Sequence, residues 1–292
     1  MDCDTVTRRR DACQDKSRRA SIVSKIAGIQ MASGPQVVAN LNEAARLIDM
    51  AAKAGARLVV LPENFCIMPM KDADRLAVAE ADGVGPLQDF LAAQARRHGV
   101  WLVGGTIPLR AERPNRVRAA CLVYDERGER RARYDKIHLF DVRLESGEQY
   151  NESEAIEPGD TTVVIDSPFG RLGLAVCYDL RFPELFRRLL DDGAELICVP
   201  SAFTARTGRA HWEVLVRARA VENLAYVIAP AQGGYHLNGR ETYGDSMIVN
   251  PWGEVLDRLA RGSGFVIAEH DRQMLTRIRS SFPTIRHRRL MP

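Results

Sequence analysis

The sequence lacks any apolar run that could cross a membrane, because no such stretch approaches the roughly 18–20 residues that a spanning helix needs. Its first 25 residues also lack the apolar segment of a secretory signal, since RRRDACQDKSRR is polar throughout. We therefore expect neither a membrane span nor a membrane partner.

Cysteine is sparse and scattered, and its spacing excludes two further classes of protein. None of the six cysteines forms a C-x-x-C pair, and none joins histidines at a zinc-ligand spacing. A disulfide scaffold and a structural zinc site are therefore not expected. Unpaired thiols instead favour a reducing compartment and predict a cytoplasmic protein.

The sequence has little net charge, and the excess is local. The formal charge is +3, and the first 25 residues alone hold seven basic and four acidic side chains, so the remaining chain is balanced. A neutral body offers no continuous basic surface for phosphates, which argues against a nucleic-acid partner. We expect residues 1–24 to form a disordered basic leader and residues 25–292 to form one domain.

What is present is an alternation of short apolar runs with amphipathic helices. A strand is predicted from Lys25, a helix over residues 40–54, a strand in LVVLPEN, a helix over residues 86–98 and a strand in VWLVGGTIP. Further helices are predicted over residues 183–192 and 212–223. Hairpin turns are predicted at residues 126–128, 167–170 and 250–253. Crossover units mixed with hairpins predict one α/β domain with mixed sheets. The C-terminal tail from Ser280 is expected to pack on a surface or on a second subunit.

Three reactive side chains each stand where an apolar strand has just ended. They are Glu63 in LVVLPEN, Lys136 in ARYDKIHLF and Cys177 in LGLAVCYDLRFPE. Ligand sites of α/β proteins collect outside the carboxyl ends of strands, so the three side chains could converge. Each one alone also fits an ordinary structural role: a buried thiol, a solvated carboxylate or a surface ammonium.

Together these three residue types form a coherent set for nucleophilic catalysis. A thiol is mostly protonated at neutral pH and needs a base, which Glu63 would provide for Cys177. Lys136 would stabilise the thiolate and the oxyanion formed at a carbonyl or nitrile carbon, with the backbone N–H of Tyr178 as a second donor. A buried Lys136 would be costly without carboxylates around it, so a second acid is expected nearby.

Three segments closely resemble, in the same order, the signature segments of the nitrilase (carbon–nitrogen hydrolase) superfamily: LPENF, RYDKIHLFD and GLAVCYDLRFPELFRRL. The resemblance continues through AHWEVLVRARAVEN and GRETYGDSMIVNPWGEVL and covers residues 25–290. It implies that Glu63 is the general base, Lys136 the oxyanion-stabilising residue and Cys177 the nucleophile, with no metal or organic cofactor. It also places a second glutamate at Glu152, with Glu145 and Glu148 as alternatives.

The same resemblance implies a fold and a substrate class. The fold would be a four-layer α-β-β-α sandwich that pairs into a homodimer. The segments after residue 200 most resemble the deaminated glutathione amidase branch, which implies hydrolysis of a small carboxylated amide to 2-oxoglutarate and cysteinylglycine. An ω-amidase acting on 2-oxoglutaramate, an N-carbamoyl amino acid amidohydrolase and a catalytically silent scaffold of the same fold are the alternatives.

Several residues around the nucleophile are candidates for substrate binding. Arg181 could pair with a substrate carboxylate or form a structural salt bridge with Glu184. Arg206 or Arg209, in a predicted loop after Phe203 and Thr204, could contact substrate or be solvated. His138, two residues after Lys136, allows a Cys–His pair as an alternative.

Overall fold

The computed structural model describes residues 23–71, 73–144 and 147–290. The predicted leader therefore lies outside the described residues up to position 22, and the first strand begins at Val23. Glu145 also lies outside them. Within the described residues, no helix is long and apolar enough to cross a membrane.

The chain alternates strands and helices along most of its length. In chain order the strands are β1 (Val23–Gln30), β2 (Ala56–Val60), β3 (Trp101–Val103), β4 (Ile107–Arg110), β5 (Val117–Tyr124), β6 (Arg130–Asp135), β7 (Asp141–Arg143), β8 (Gln149–Asn151), β9 (Val164–Ser167), β10 (Gly170–Leu174), β11 (Leu196–Cys198), β12 (Tyr226–Ala229), β13 (Gly233–Tyr235), β14 (Glu241–Tyr243), β15 (Ser246–Val249), β16 (Val255–Leu259) and β17 (Gly264–Asp271). The helices are α1 (Val37–Lys53), α2 (Asp74–Ala77), α3 (Pro86–His98), α4 (Pro183–Asp191), α5 (Ala205–Asn223) and α6 (Arg272–Ser281).

Two large mixed sheets contain most of the strands. The first has the order β17-β1-β2-β3-β5-β4, with β6 also paired to β5, and its parallel strands β1, β2 and β3 are connected through α1 and α3. The second has the order β16-β15-β12-β11-β10-β9, and its parallel strands β10, β11 and β12 are connected through α4 and α5. The predicted α/β class with mixed sheets is confirmed.

Alternate residues of the first sheet belong to different apolar clusters. Ile26 and Leu58 belong to an apolar cluster that also contains residues of the second sheet, of α4 and of α5. Their neighbours Ala27 and Val59 belong to a cluster with α1 and α3. Because successive side chains point to opposite faces of a strand, the first sheet is buried on both faces, which explains its nearly continuous apolar runs.

The observed helix ends agree with the predicted ends more closely than the observed helix starts agree with the predicted starts. Helix α3 begins at Pro86 and ends before Gly99, which adopts the left-handed conformation, as the sequence predicts. Helix α5 was predicted to begin at Trp212 but begins at Ala205. The Thr204 side chain caps it by accepting a hydrogen bond from the backbone N–H of Thr207 at 3.3 Å.

The C-terminal tail contacts the surface of its own chain. The ring of Phe282 packs edge-on against Trp252, with their centroids 5.5 Å apart, and Arg288 forms an ion pair with Asp191. The rings of Trp252 and Phe282 nevertheless stay about half exposed.

Candidate active site

The loop after β2 places the carboxylate of Glu63 in the protein interior. Asn64 takes a left-handed backbone conformation with φ 57°, and its N–H donates to Oγ1 of Thr106 at 2.8 Å. The side chain of Gln232 donates to the backbone oxygen of Glu63 at 3.0 Å. These bonds fix the turn, so that Glu63 is almost completely buried and its orientation is defined.

Lys136 follows β6 directly and is enclosed by two carboxylates. Its Nζ lies 2.7 Å from Oε1 of Glu63 and 2.8 Å from both carboxylate oxygens of Glu152. Oε2 of Glu152 also accepts the backbone N–H of Phe140 at 2.7 Å. Since its ammonium donates to both acids and only 2% of the residue is exposed, Lys136 is held in one position.

Cys177 begins a tight 3₁₀ turn immediately beyond β10. Its N–H donates to the oxygen of Pro200 at 2.9 Å, and its Sγ lies 3.4 Å from the backbone nitrogen of Ala202. The residue has φ 48°, an uncommon left-handed conformation for a side chain with a Cβ. Such strain persists only where surrounding bonds fix the backbone, and it presents the thiol beyond the strand end.

Burial and neighbouring charges shift the pKa values of Lys136, Glu152 and Cys177. Burial alone would lower the pKa of Lys136, but the charges of Glu152 and Glu63 outweigh it and raise that pKa. Burial opposes ionisation of Glu152 too, yet Lys136 holds the pKa of that carboxyl below its usual range. Burial and the charge of Glu63 raise the pKa of the Cys177 thiol, against the pull of Lys136. These shifts favour an ammonium at Lys136, a carboxylate at Glu152 and a protonated thiol at Cys177.

A buried carboxylate supports the turn that carries Cys177. Asp179 is fully buried, and its Oδ2 accepts the backbone N–H of Val176 at 2.8 Å and the hydroxyl of Tyr134 at 2.6 Å. Its Oδ1 lies 3.0 Å from the backbone nitrogen and 2.7 Å from Nδ1 of His138. The ring of His138 is thus engaged by Asp179 and stacks on Phe182, which gives no support to a Cys–His pair.

A partly open cavity of about 130 Å³, here called the inner cavity, contains Glu63, Lys136, Glu152 and Cys177 in its wall. Tyr178, Arg181, Phe203 and Thr204 line it as well. It adjoins a more open outer cleft of about 1060 Å³, and the two share wall residues that include Tyr150 and Arg240. Within the described residues, no cluster of His, Cys, Asp and Glu side chains could hold a metal ion.

Comparison with known proteins agrees with this geometry. The family model described as carbon-nitrogen hydrolase matches residues 25–280. The chain belongs to the carbon–nitrogen hydrolase family. It is 42% identical over 266 residues to the deaminated glutathione amidase of Synechocystis, covering 90% of this chain and 97% of that protein. It is 39% identical over 268 residues to the human deaminated glutathione amidase, covering 90% and 82%.

Solved structures show the same relationship. The crystal structure of Saccharomyces cerevisiae Nit3, a member of branch 10 of the nitrilase superfamily, superposes with a TM-score of 0.82 at 31% identity, covering 92% of this chain and 97% of that one. The resemblance drawn from the sequence segments is confirmed, and the protein is a hydrolase of carbon–nitrogen bonds other than peptide bonds.

This carbon–nitrogen hydrolase brings most of the sequence-predicted residues together, with two differences. Arg206 and Arg209 lie on the first turns of α5 rather than in a loop, and they line the outer cleft, not the inner cavity. The ring nitrogen Nδ1 of His211 lies 3.1 Å from the Arg181 guanidinium, and no carboxylate of the described chain, Glu184 included, pairs with that guanidinium.

Of the candidate acids that the structure describes, Glu152 contacts Lys136 and Glu148 does not. Glu152 begins the 3₁₀ turn after β8, and its carboxylate holds Lys136. Glu148 is exposed and lies at the outer cleft.

Sequence reasoning missed several wall residues of the inner cavity, of which Arg240 is the most distinctive. Arg240 ends the turn between β13 and β14, far along the chain from every signature segment. Its guanidinium lies over the ring of Tyr150, with 5.1 Å between the guanidinium carbon and the ring centroid. An arginine in a polar hairpin is typical of a solvated surface charge, so only the folded chain identifies Arg240 as part of the site.

Proposed function

We propose that this carbon–nitrogen hydrolase is a cysteine-dependent amidase that hydrolyses deaminated glutathione to 2-oxoglutarate and cysteinylglycine. The observation that carries the proposal is that Glu63, Lys136 and Cys177 line the same cavity, with Lys136 held between two carboxylates. The substrate is supported by the names of relatives that match most of the chain.

In the first half of the reaction, Glu63 takes the proton of the Cys177 thiol as sulfur attacks the amide carbon. The negative charge that develops on the amide oxygen is stabilised by the Lys136 ammonium and the backbone N–H of Tyr178. Collapse of the tetrahedral intermediate breaks the C–N bond, and Glu63 returns its proton to the leaving amine. The acyl group remains on Cys177 as a thioester.

In the second half, Glu63 removes a proton from a water molecule that attacks the thioester carbon. A second oxyanion forms at the same position, and its collapse releases the carboxylic acid and restores the thiol. Glu152 serves this cycle indirectly, because its charge keeps Lys136 protonated and in place. No step requires a metal or an organic cofactor.

The proposal extends to assembly and location. Residues 25–292 would form one domain with an α-β-β-α order of layers, consistent with the two apolar clusters on either side of the first sheet. Two such domains would pair as a homodimer through the exposed Val214 and Val221 of α5, near Trp252 and Phe282. The protein would act in the cytoplasm on a small amide and bind neither nucleic acid nor membrane.

The decisive experiment replaces Cys177 by alanine and follows acid release from four substrates: deaminated glutathione, 2-oxoglutaramate, N-carbamoyl-β-alanine and a simple nitrile. We expect the wild-type protein to prefer deaminated glutathione and Cys177→Ala to have no activity while unfolding at a similar temperature. Cys121→Ala, which removes a buried thiol outside the cavity, is the matched control and should stay active. Residual turnover by Cys177→Ala would refute the nucleophile assignment, and a preference for 2-oxoglutaramate would favour ω-amidase instead.

A further inference from the structure

Arg240 lies in the wall of the active site and has no carboxylate partner among the described residues. Its Nη2 lies 3.4 Å from the backbone oxygen of Ala202, a long hydrogen bond, and its buried Nε has no hydrogen-bond partner among the described residues. No ion pair joins it to a described carboxylate. A buried donor left without an acceptor is destabilising, and an anionic ligand would offset that cost.

The outer cleft around Arg240 carries an excess of positive charge. Arg206 and Arg209 project from the first turns of α5 into the same cleft, and neither forms an ion pair with a described carboxylate. Of the two acids among the described residues of this wall, Glu241 is turned towards Arg261, 3.9 Å away, and Glu148 is exposed. The cleft is therefore suited to a carboxylate that enters with the substrate.

The position of Arg240 decides which half of a substrate it meets. The acyl group becomes attached to Cys177 and must remain in the inner cavity, where Arg181 lies over the ring of Phe203. The leaving amine must depart through the larger outer cleft. Arg240 lines both spaces, so it stands at the passage between the acyl half and the amine half.

We infer that Arg240 binds the carboxylate of the leaving amine and thereby selects amides of carboxylated amines over primary amides. This rests on the proposed function, since deaminated glutathione carries a glycine carboxylate on its amine half and 2-oxoglutaramate carries none. Arg240 is a substrate-binding residue in this scheme and takes no part in proton transfer. Arg206 and Arg209 of α5 line the same outer cleft and add to the attraction for the carboxylate.

The test measures kcat and KM of the wild type, Arg240→Gln and Arg240→Lys on three substrates. These are deaminated glutathione, its glycine N-methylamide, which lacks the terminal charge, and 2-oxoglutaramate. For Arg240→Gln we expect kcat/KM on deaminated glutathione to fall by about 10- to 100-fold, mainly through KM, as for loss of a hydrogen-bonded charge pair. The other two substrates should be affected less than about twofold, and Arg240→Lys should recover part of the loss.

Arg261→Gln is the matched control, because Arg261 is an exposed arginine that neighbours the same hairpin and lies outside the cleft. It should leave all three substrates unchanged. An equal loss on all three substrates with Arg240→Gln would make Arg240 a structural residue and overturn the inference. No loss on deaminated glutathione would overturn it as well.

A binding measurement separates this inference from the proposed function. Calorimetry with Cys177→Ala and Cys177→Ala/Arg240→Gln gives the affinity for deaminated glutathione without turnover. If the wild type fails to hydrolyse deaminated glutathione, the proposed function falls. The inference then stands only if deaminated glutathione binds about 10-fold more weakly to Cys177→Ala/Arg240→Gln than to Cys177→Ala, while the N-methylamide binds equally to the two variants. It is refuted if deaminated glutathione binds equally to the two variants.

Discussion

Replacing Asp179 by asparagine removes the charge from a fully buried carboxylate that has four hydrogen-bond partners. Two of the partners, the hydroxyl of Tyr134 and Nδ1 of His138, can act as either donor or acceptor. The other two, the backbone N–H groups of Val176 and His138, can only donate. Asparagine has one acceptor oxygen and one donor NH₂ group, so its orientation decides which partners are satisfied.

Neither orientation of the amide satisfies all four partners. If the NH₂ group replaces Oδ1, the N–H of His138 faces a donor, while the histidine ring can change tautomer and accept. If it replaces Oδ2, the N–H of Val176 faces a donor, while Tyr134 can rotate its hydroxyl and accept. In both cases one buried backbone N–H loses its acceptor, which costs about 1–3 kcal/mol, and the remaining bonds lose the assistance of the charge. We expect Asp179→Asn to lower the free energy of unfolding by about 3 kcal/mol.

Differential scanning calorimetry and urea unfolding measure this loss. At about 2–4 °C per kcal/mol for a chain of this size class, Tm should fall by about 6–12 °C. Tyr134→Phe is the matched control, because it removes one adaptable partner and leaves every backbone N–H bonded, so about 1 kcal/mol should be lost. The reasoning fails if Asp179→Asn is no more destabilising than Tyr134→Phe.

Two other predictions concern the loops and charges around the site. A Cβ on Gly105, which has φ 54°, would lie 2.1 Å from the oxygen of Pro62, so Gly105→Ala should cost about 3 kcal/mol or more and reduce activity by displacing Glu63. Gly99, with φ 60° and open space around it, should lose only about 1 kcal/mol as alanine, and equal losses in urea unfolding would contradict the steric argument. Because the pKa of Glu152 is lowered in the fold, its carboxylate stabilises the protein above its unfolded pKa of about 4.3, and this contribution is lost as pH falls through the folded pKa. The difference in unfolding free energy between wild type and Glu152→Gln should therefore shrink below about pH 4, and a constant difference would be evidence against the linkage.

The parts of the fold that the sequence predicts are those specified by local signals. Helix α3 has a proline at its first position and a left-handed glycine after its last, so both ends are encoded by neighbouring residues. The start of α5 is not encoded in this way, because residues 205–211 carry no apolar period. Gly208 lies in that stretch because a Cβ there would come within 2.3 Å of Tyr243, a contact made by a distant strand.

The same distinction between local signals and contacts made by distant residues applies to the active-site residues. Cys177, Lys136 and Glu63 stand at strand ends, a position readable from apolar runs and the residues that interrupt them. The family resemblance places the second acid at Glu152 but leaves Glu145 and Glu148 as alternatives, because which carboxylate reaches Lys136 depends on the fold. Arg240 lies in the segment GRETYGDSMIVNPWGEVL, but nothing in that polar turn marks it as a site residue, and only the folded chain brings it into the wall of the inner cavity.

The raised pKa of the Cys177 thiol favours its protonated form, which bears on how readily peroxides oxidise it. Peroxides attack thiolates far more readily than thiols, and sulfur oxidised beyond sulfenic acid is generally lost to the enzyme. In the proposed mechanism the proton leaves when Glu63 accepts it beside a bound amide, so the reactive thiolate would exist chiefly while substrate shields it. A protonated thiol would protect the enzyme from oxidation while no substrate is bound, whereas a permanently ionised nucleophile would be oxidised.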